Sequence, residues 1–129
     1  MALAGCAEMQ AVKESISDKT KKVFFIEPAD GATLGREVKV VIGVKGMQIK
    51  PAGELVQKTG HHHLLIDVAP IPEGDLIPNS DTFQHFGKGQ TETTLRLRPG
   101  KHTLMLQFGN GHHISYGENM RATIKVTVR

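Results

Sequence analysis

From Val23 onward, short apolar runs alternate with segments rich in glycine and proline. The run that follows Glu37 shows the pattern best, because apolar residues occupy every second position from Val38 to Val44. Side chains two residues apart point to the same face of a strand, so this spacing predicts a strand with one buried face. The same reasoning predicts strands at 23–26, 37–44, 61–68, 91–98, 101–108 and 122–128.

The segments between these runs carry turn residues. Proline and glycine predict a turn at 28–32 and a tight turn at Pro99-Gly100. Residues 46–59 are predicted to form a long loop, and residues 69–89 an irregular excursion. Many short strands joined by such turns are typical of all-β sandwiches. The sequence therefore predicts an all-β fold, an antiparallel immunoglobulin-like or cupredoxin-like β-sandwich.

The N-terminal segment has a different character. Leu3-Ala4-Gly5-Cys6 resembles the bacterial lipobox, in which a signal peptidase cuts before a cysteine whose thiol carries diacylglycerol. On this interpretation residues 1–22 are a lipobox remnant and a flexible or helical tether, and residues 23–129 are the sandwich domain. Cys6 would then be the lipid attachment site of a lipoprotein in the periplasm or at the cell surface. The alternative interpretation of Cys6 is an ordinary free cysteine.

Composition narrows the possible partners. The net charge is only +3 and the basic residues are scattered, whereas nucleic-acid binding favours a clustered basic stripe. The chain has no tryptophan and one tyrosine, which leaves little for stacking on sugars or bases. No apolar run approaches the roughly 20 residues that span a bilayer. We expect no nucleic-acid partner, a membrane contact through the lipid alone, and an envelope protein as a further partner.

Seven histidines are the unusual feature of the composition. Alternation along the strand predicted at 61–68 places His61 and His63 on one face and His62 on the other, with the apolar side chains. Residues two apart on a strand lie roughly 6.5–7 Å apart, so two imidazoles at this spacing can bind one metal ion. The candidate metal ligands are His61, His63, His85, His102 and His113.

The chemistry of these ligands favours some ions over others. Imidazoles without a thiolate suit copper(II), zinc or nickel, and we expect copper first and zinc next. Asp67 is predicted on the same face as His61 and His63, where it could orient a ligand ring. The alternative is that the histidines are structural, and His62 and His102 in particular could bond to backbone carbonyls. A role in pH sensing is a third interpretation.

Three blocks of sequence carry a family resemblance: Gly60-His61-His62-His63-Leu64-Leu65-Ile66-Asp67, His85-Phe86-Gly87-Lys88-Gly89-Gln90-Thr91-Glu92 and Pro99-Gly100-Lys101-His102-Thr103-Leu104. They resemble a bacterial domain-of-unknown-function family of small, usually exported, histidine-rich proteins, some of which carry the label "rod shape-determining protein". The resemblance spans residues 23–129 and implies an exported β-sandwich. It also places five of the histidines in one signature.

Two functions from different classes follow. The first is an exported, membrane-tethered lipoprotein that binds copper or zinc through clustered histidines, for metal handling or electron transfer. The second is a non-enzymatic binding or scaffold module of the envelope with structural histidines. We do not expect an enzyme, because the sequence has no Gly-x-Ser-x-Gly motif and no supported pair of carboxylates.

Overall fold

The structure, a computed structural model, describes residues 21–129. Cys6 and nearly all of the expected tether lie outside the described residues. A single turn of 3-10 helix covers Glu118–Met120. The strands are β1 (Lys22–Glu27), β2 (Thr33–Leu34), β3 (Glu37–Lys45), β4 (Gln48–Ile49), β5 (Thr59–Ile66), β6 (Phe83–His85), β7 (Glu92–Arg96), β8 (Gly100–Gly109) and β9 (Arg121–Val128).

The strands form two sheets. The smaller sheet has the order β1-β3-β7, and the larger has the order β2-β9-β8-β5-β4, with β6 also paired to β5. The long pairings are antiparallel, and parallel pairing is confined to the two-residue strands β2 and β4. The predicted antiparallel β-sandwich is therefore confirmed. Within the described residues, no helix is long and apolar enough to cross a membrane.

The core lies between the two sheets. Val38, Val40 and Ile42 of β3 are buried in it, as the alternation in the sequence predicts. The larger sheet contributes Leu106 and Phe108, which are fully buried. Burying a side chain of this size stabilises the fold by about 1.5–3 kcal/mol. The core is apolar and continuous, so the sandwich has its own source of stability.

All six predicted strands are present, with ends that differ by a few residues. Strand β5 begins at Thr59 and ends at Ile66, two residues earlier at each end than predicted. Asp67 adopts a left-handed conformation with φ of 57°, and its carboxylate accepts a hydrogen bond from the Thr103 backbone N–H. Sequence periodicity did not reveal β2, β4 or β6, because a strand of two or three residues is too short to show a period.

Strand β5 is unusual because all eight of its residues are buried. Its inner face packs in the core, and the side chains of its outer face, His61, His63 and Leu65, are buried as well. Residues 71–77 pair with the turn that follows β8: the Ile77 N–H donates to the His113 carbonyl, and the Gly74 N–H donates to the Ser115 carbonyl.

Candidate metal centre

Strand register brings three histidines together on the outer face of β5. His61 and His63 occupy alternate positions of this strand, and His63 lies directly opposite His85 of β6. Residues directly opposite one another in an antiparallel pair have their Cβ atoms about 4.5–5.5 Å apart on the same face. One ligand atom from each of these three residues lies within 4.8 Å of the others.

A fourth histidine enters from the turn after β8. The side-chain oxygen of Asn110 accepts hydrogen bonds from the backbone N–H groups of His112 and Ile114, at 2.8 Å and 3.1 Å. His113 lies between these anchors with a left-handed φ of 68°. Its ring approaches His85, with 3.0 Å between the two Nε2 atoms. The turn thus directs a loop histidine towards the strand histidines.

The four rings contact one another in every combination. Their centroids are separated by distances from 4.6 Å, for His85 and His113, to 5.8 Å, for His63 and His113. The remaining four separations lie between these limits. We call this group the histidine cluster; its members are His61, His63, His85 and His113.

The nitrogen atoms at the middle of the cluster have the spacing of metal ligands. The Nε2 atom of His85 lies 3.2 Å from Nε2 of His61 and 3.0 Å from Nε2 of His113. Each nitrogen of a neutral imidazole either donates one hydrogen bond or accepts one. A hydrogen bond therefore accounts for only one of the two short contacts that the His85 Nε2 atom makes. Nitrogens bound to one ion at about 2.0–2.1 Å lie about 2.8–3.4 Å apart in square to tetrahedral geometry. The observed distances fall within that range.

Burial keeps three rings of the cluster, those of His61, His63 and His85, neutral. His61 and His63 are almost completely inaccessible to solvent. Burial, and then the neighbouring histidines, lowers the pKa of His61 to about 4 and the pKa of His63 to about 2. The pKa of His85 is also lowered, by burial first and then by His113. At neutral pH these three rings are neutral, which is the form that offers a lone pair to a metal ion.

Three histidines lie outside the cluster, and two of them, His62 and His112, are sequence neighbours of its members. His62 points to the inner face of β5, where its ring packs edge-on against Phe108 at a centroid distance of 5.1 Å. His112 lies in the turn beside His113 and is exposed. Burial, and then His61, lowers the pKa of His62 to about 4. His62 is therefore a core residue, but the expected bond to a backbone carbonyl is wrong for it, because neither of its buried ring nitrogens has a hydrogen-bond partner among the described residues.

The structure does not bring His102 into the cluster. His102 lies near the start of β8, whereas the cluster lies near its end, at Gly109. Its Nδ1 is 2.6 Å from the Asp67 carboxylate and its Nε2 is 2.8 Å from the Arg98 carbonyl, so both nitrogens are engaged. The expectation that Asp67 orients the ring of His61 or His63 is also wrong, because its carboxylate bonds to His102 and to the Thr103 N–H. The left-handed turn at Asp67 directs its carboxylate to His102 instead.

Sequence reasoning also missed the close approach of glycines to the cluster. A Cβ atom on Gly87 would lie 2.1 Å from Cε1 of the His85 ring. A Cβ atom on Gly109 would lie 2.9 Å from the Ile77 side chain and 3.3 Å from Nε2 of His63. In the sequence, Gly87 belongs to the irregular excursion at 69–89, and Gly109 follows the strand predicted at 101–108. Nothing in the local sequence shows that they leave space for rings that come from other strands.

The fold and the site together define a class: a β-sandwich with a buried histidine cluster on the outer face of its larger sheet. Residues 40–129 match the family model described as "Domain of unknown function (DUF4399)". The chain belongs to this family, which confirms the predicted membership of a domain-of-unknown-function family. The matched region contains the whole cluster.

Comparison with other known proteins adds little. No curated protein matches the chain. One similar solved structure is the endo-beta-1,4-mannanase from Thermotoga petrophila, with a TM-score of 0.47 and 19% sequence identity. The similarity covers 84% of this chain and 20% of that chain, so it spans a fifth of the mannanase chain.

Proposed function

We propose that this domain binds a transition-metal ion through the histidine cluster, as part of an exported, membrane-tethered protein. The observation that carries the proposal is the position of the His85 Nε2 atom between the Nε2 atoms of His61 and His113, at 3.2 Å and 3.0 Å. An ion bound by these three nitrogens would replace the contacts between them by metal–nitrogen bonds. His63, whose ligand atom lies within 4.8 Å of those of His61 and His85, would move closer to become the fourth ligand.

Hydrogen bonding alone leaves too many nitrogens unpaired. Both ring nitrogens of His63 and Nδ1 of His61 are buried and have no hydrogen-bond partner among the described residues. A buried polar group without a partner costs about 1–3 kcal/mol. A bound ion would occupy one lone pair on each ring and offset part of this cost. Both nitrogens of His62 on the inner face are unpaired as well, so the support for metal binding comes from the unpaired nitrogens of His61 and His63 together with their position in the cluster.

The donor atoms indicate the class of ion. The candidate ligand group found among the described residues consists of histidines alone. Imidazole donors suit copper, zinc and nickel, and divalent copper forms the most stable complexes of the first-row series. We therefore propose copper as the first choice and zinc as the second.

The number of ligands indicates the role. Catalytic zinc sites keep one position open for water or substrate, whereas four imidazoles fill a tetrahedral set. We propose metal handling or electron transfer, and no enzymatic reaction. The lipobox-like sequence at Cys6 supports a location in the periplasm or at the cell surface, where an envelope protein would supply or receive the ion or the electron.

The test is the metal content of protein purified without nickel resin, incubated with copper or zinc and dialysed. We expect stoichiometric metal in the wild type and its loss in the His61→Ala/His63→Ala double variant. His112→Ala is the matched control, because this histidine is exposed beside His113 and its side chain lies outside the cluster. The control should retain the metal.

Thermal unfolding provides an independent measurement. A specific ligand stabilises the folded state by RT ln(1 + [L]/Kd), about 2.7 kcal/mol at one hundred times Kd. A wild-type protein that stays free of metal and whose melting temperature is unchanged by copper or zinc would contradict the proposal. That result would favour the alternative, an envelope binding or scaffold module with structural histidines.

A further inference from the structure

Residues 50–54 connect the two loops that carry the outer ligands. The Ala52 N–H donates to the Gly87 carbonyl at 2.9 Å, and the Gly53 N–H donates to the Gly111 carbonyl at 3.0 Å. Gly87 lies two residues after His85, and Gly111 lies two residues before His113. We call residues 50–54 the strap.

The strap is itself anchored beside the inner ligands. The Lys50 N–H donates to the carbonyl of Gly60 at 2.8 Å, and Gly60 immediately precedes His61 in β5. One short segment therefore bonds to three backbone positions, each next to or two residues from a cluster histidine. Such backbone bonds fix the relative positions of the loops without any contact to the imidazole rings.

Two glycines allow this arrangement by the space that they leave. A Cβ atom on Gly111 would lie 2.1 Å from the Glu54 carbonyl oxygen of the strap. A Cβ atom on Gly87 would lie 2.1 Å from the His85 ring. Neither glycine has a left-handed φ, so a side chain at these positions is excluded by contact and not by backbone conformation.

We propose that the strap holds His85 and His113 at ligand distance, and that Gly87 and Gly111 are positioning residues for the metal site. The proposal rests on the proposed function. His61 and His63 are fixed by an eight-residue strand paired on both sides. His85 ends a three-residue strand and His113 lies in a turn, so their spacing depends on the bonds that their loops make. The strap supplies one such bond to each loop.

The expected consequence is a change in metal binding with little change in the fold. In Gly87→Ala the three atoms nearest to the new methyl group all belong to the His85 ring, which can rotate away. In Gly111→Ala it meets a backbone oxygen, so the strap must separate from the His113 loop. Changes to groups that support metal ligands typically lower metal affinity by about 10–100-fold, and we expect losses of this size for both variants.

The experiment titrates Cu²⁺ and Zn²⁺ into the wild type, Gly87→Ala and Gly111→Ala, and measures release of the ion to EDTA. Gly35→Ala is the matched control, because a Cβ atom there meets nothing within 4 Å and its φ is not left-handed. We expect weaker binding and faster release in the first two variants only. If Gly111→Ala does not fold, Ala52→Pro decides, because proline lacks the N–H that Ala52 donates to the Gly87 carbonyl.

A spectroscopic measurement shows whether a variant loses one particular ligand or binds the ion more weakly with all of its ligands in place. The electron paramagnetic resonance spectrum of bound Cu²⁺ reports the coordinating nitrogens, and Gly87→Ala should lose the contribution of one imidazole. An unchanged spectrum and unchanged affinity in Gly111→Ala, or in Ala52→Pro in its place, would overturn the strap proposal and leave the proposed function intact. The same result in Gly87→Ala would overturn the positioning role of Gly87. A wild type that binds neither ion would instead remove the proposed function, and the strap proposal with it.

Discussion

His102 differs from the histidines of the cluster in the sign of its pKa shift. Its pKa is raised, first by the hydrogen bond to Asp67 and then by the bond to the Arg98 carbonyl. Both partners accept hydrogen bonds, so both ring nitrogens of His102 donate when the ring is protonated. Burial has the opposite effect on His61 and His63, whose nitrogens have no such acceptors among the described residues. The contacts of each ring, and not the residue type, decide its charge.

This difference gives a test of stability against pH. A raised pKa in the folded state means that His102 contributes its full stabilisation below the unfolded value of 6.5. The contribution is lost as the pH rises through the folded pKa. The lowered pKa of the buried histidines acts in the opposite sense, because stability falls as the pH drops below 6.5 towards about 4. The pH dependence of the wild type therefore combines two effects: His102 loses its stabilisation as the pH rises, and the buried histidines lose theirs as the pH falls.

A comparison of the wild type with His102→Gln isolates the contribution of His102 to the pH dependence of stability. The free energy of unfolding of the metal-free protein is measured by denaturant titration from acid to mildly alkaline pH. We expect the difference between wild type and variant to be largest at acid pH and to shrink as the pH rises. A difference that stays constant across this range would show that the His102–Asp67 pair does not titrate as described.

At the scale of elements, β5 joins the core to the candidate site. Its inner face continues the hydrophobic core with Leu64 and Ile66, while its outer face carries His61 and His63. The period of two in the sequence predicts this division correctly. It could not predict β6, the three-residue strand that places His85 opposite His63. That pairing depends on a non-local contact, which no local pattern encodes.

The pairing of β5 with β8 makes a prediction of its own. A Cβ atom on Gly60 would lie 2.2 Å from the Gly109 carbonyl oxygen and 2.8 Å from the Phe108 ring. Gly60→Ala must therefore separate two paired strands or displace a fully buried ring. We expect a loss of about 1–3 kcal/mol in the free energy of unfolding, as for overpacked cores. Denaturant unfolding of metal-free protein measures it, with Gly35→Ala as control; equal stability would contradict the packing described.

At the scale of the whole molecule, the core and the histidine cluster lie on opposite faces of the larger sheet. The core consists of apolar residues from both sheets, so we expect the domain to fold without a metal ion. The sequence predicts that core and the β-sandwich, because both follow from local alternation. It also predicts that His61 and His63 are neighbours. It wrongly groups His102 with them, because only the pairing of the strands shows that His102 lies at the other end of β8.

The central claim is that four imidazoles surround one ion, and X-ray absorption spectroscopy of the copper- or zinc-loaded protein tests it most directly. We predict a first shell dominated by nitrogen at about 2.0–2.1 Å, with the outer-shell scattering of about four imidazole rings. His113→Ala should lower the imidazole contribution, and His112→Ala should leave it unchanged. A shell of water or carboxylate oxygens without imidazole scattering would contradict the account.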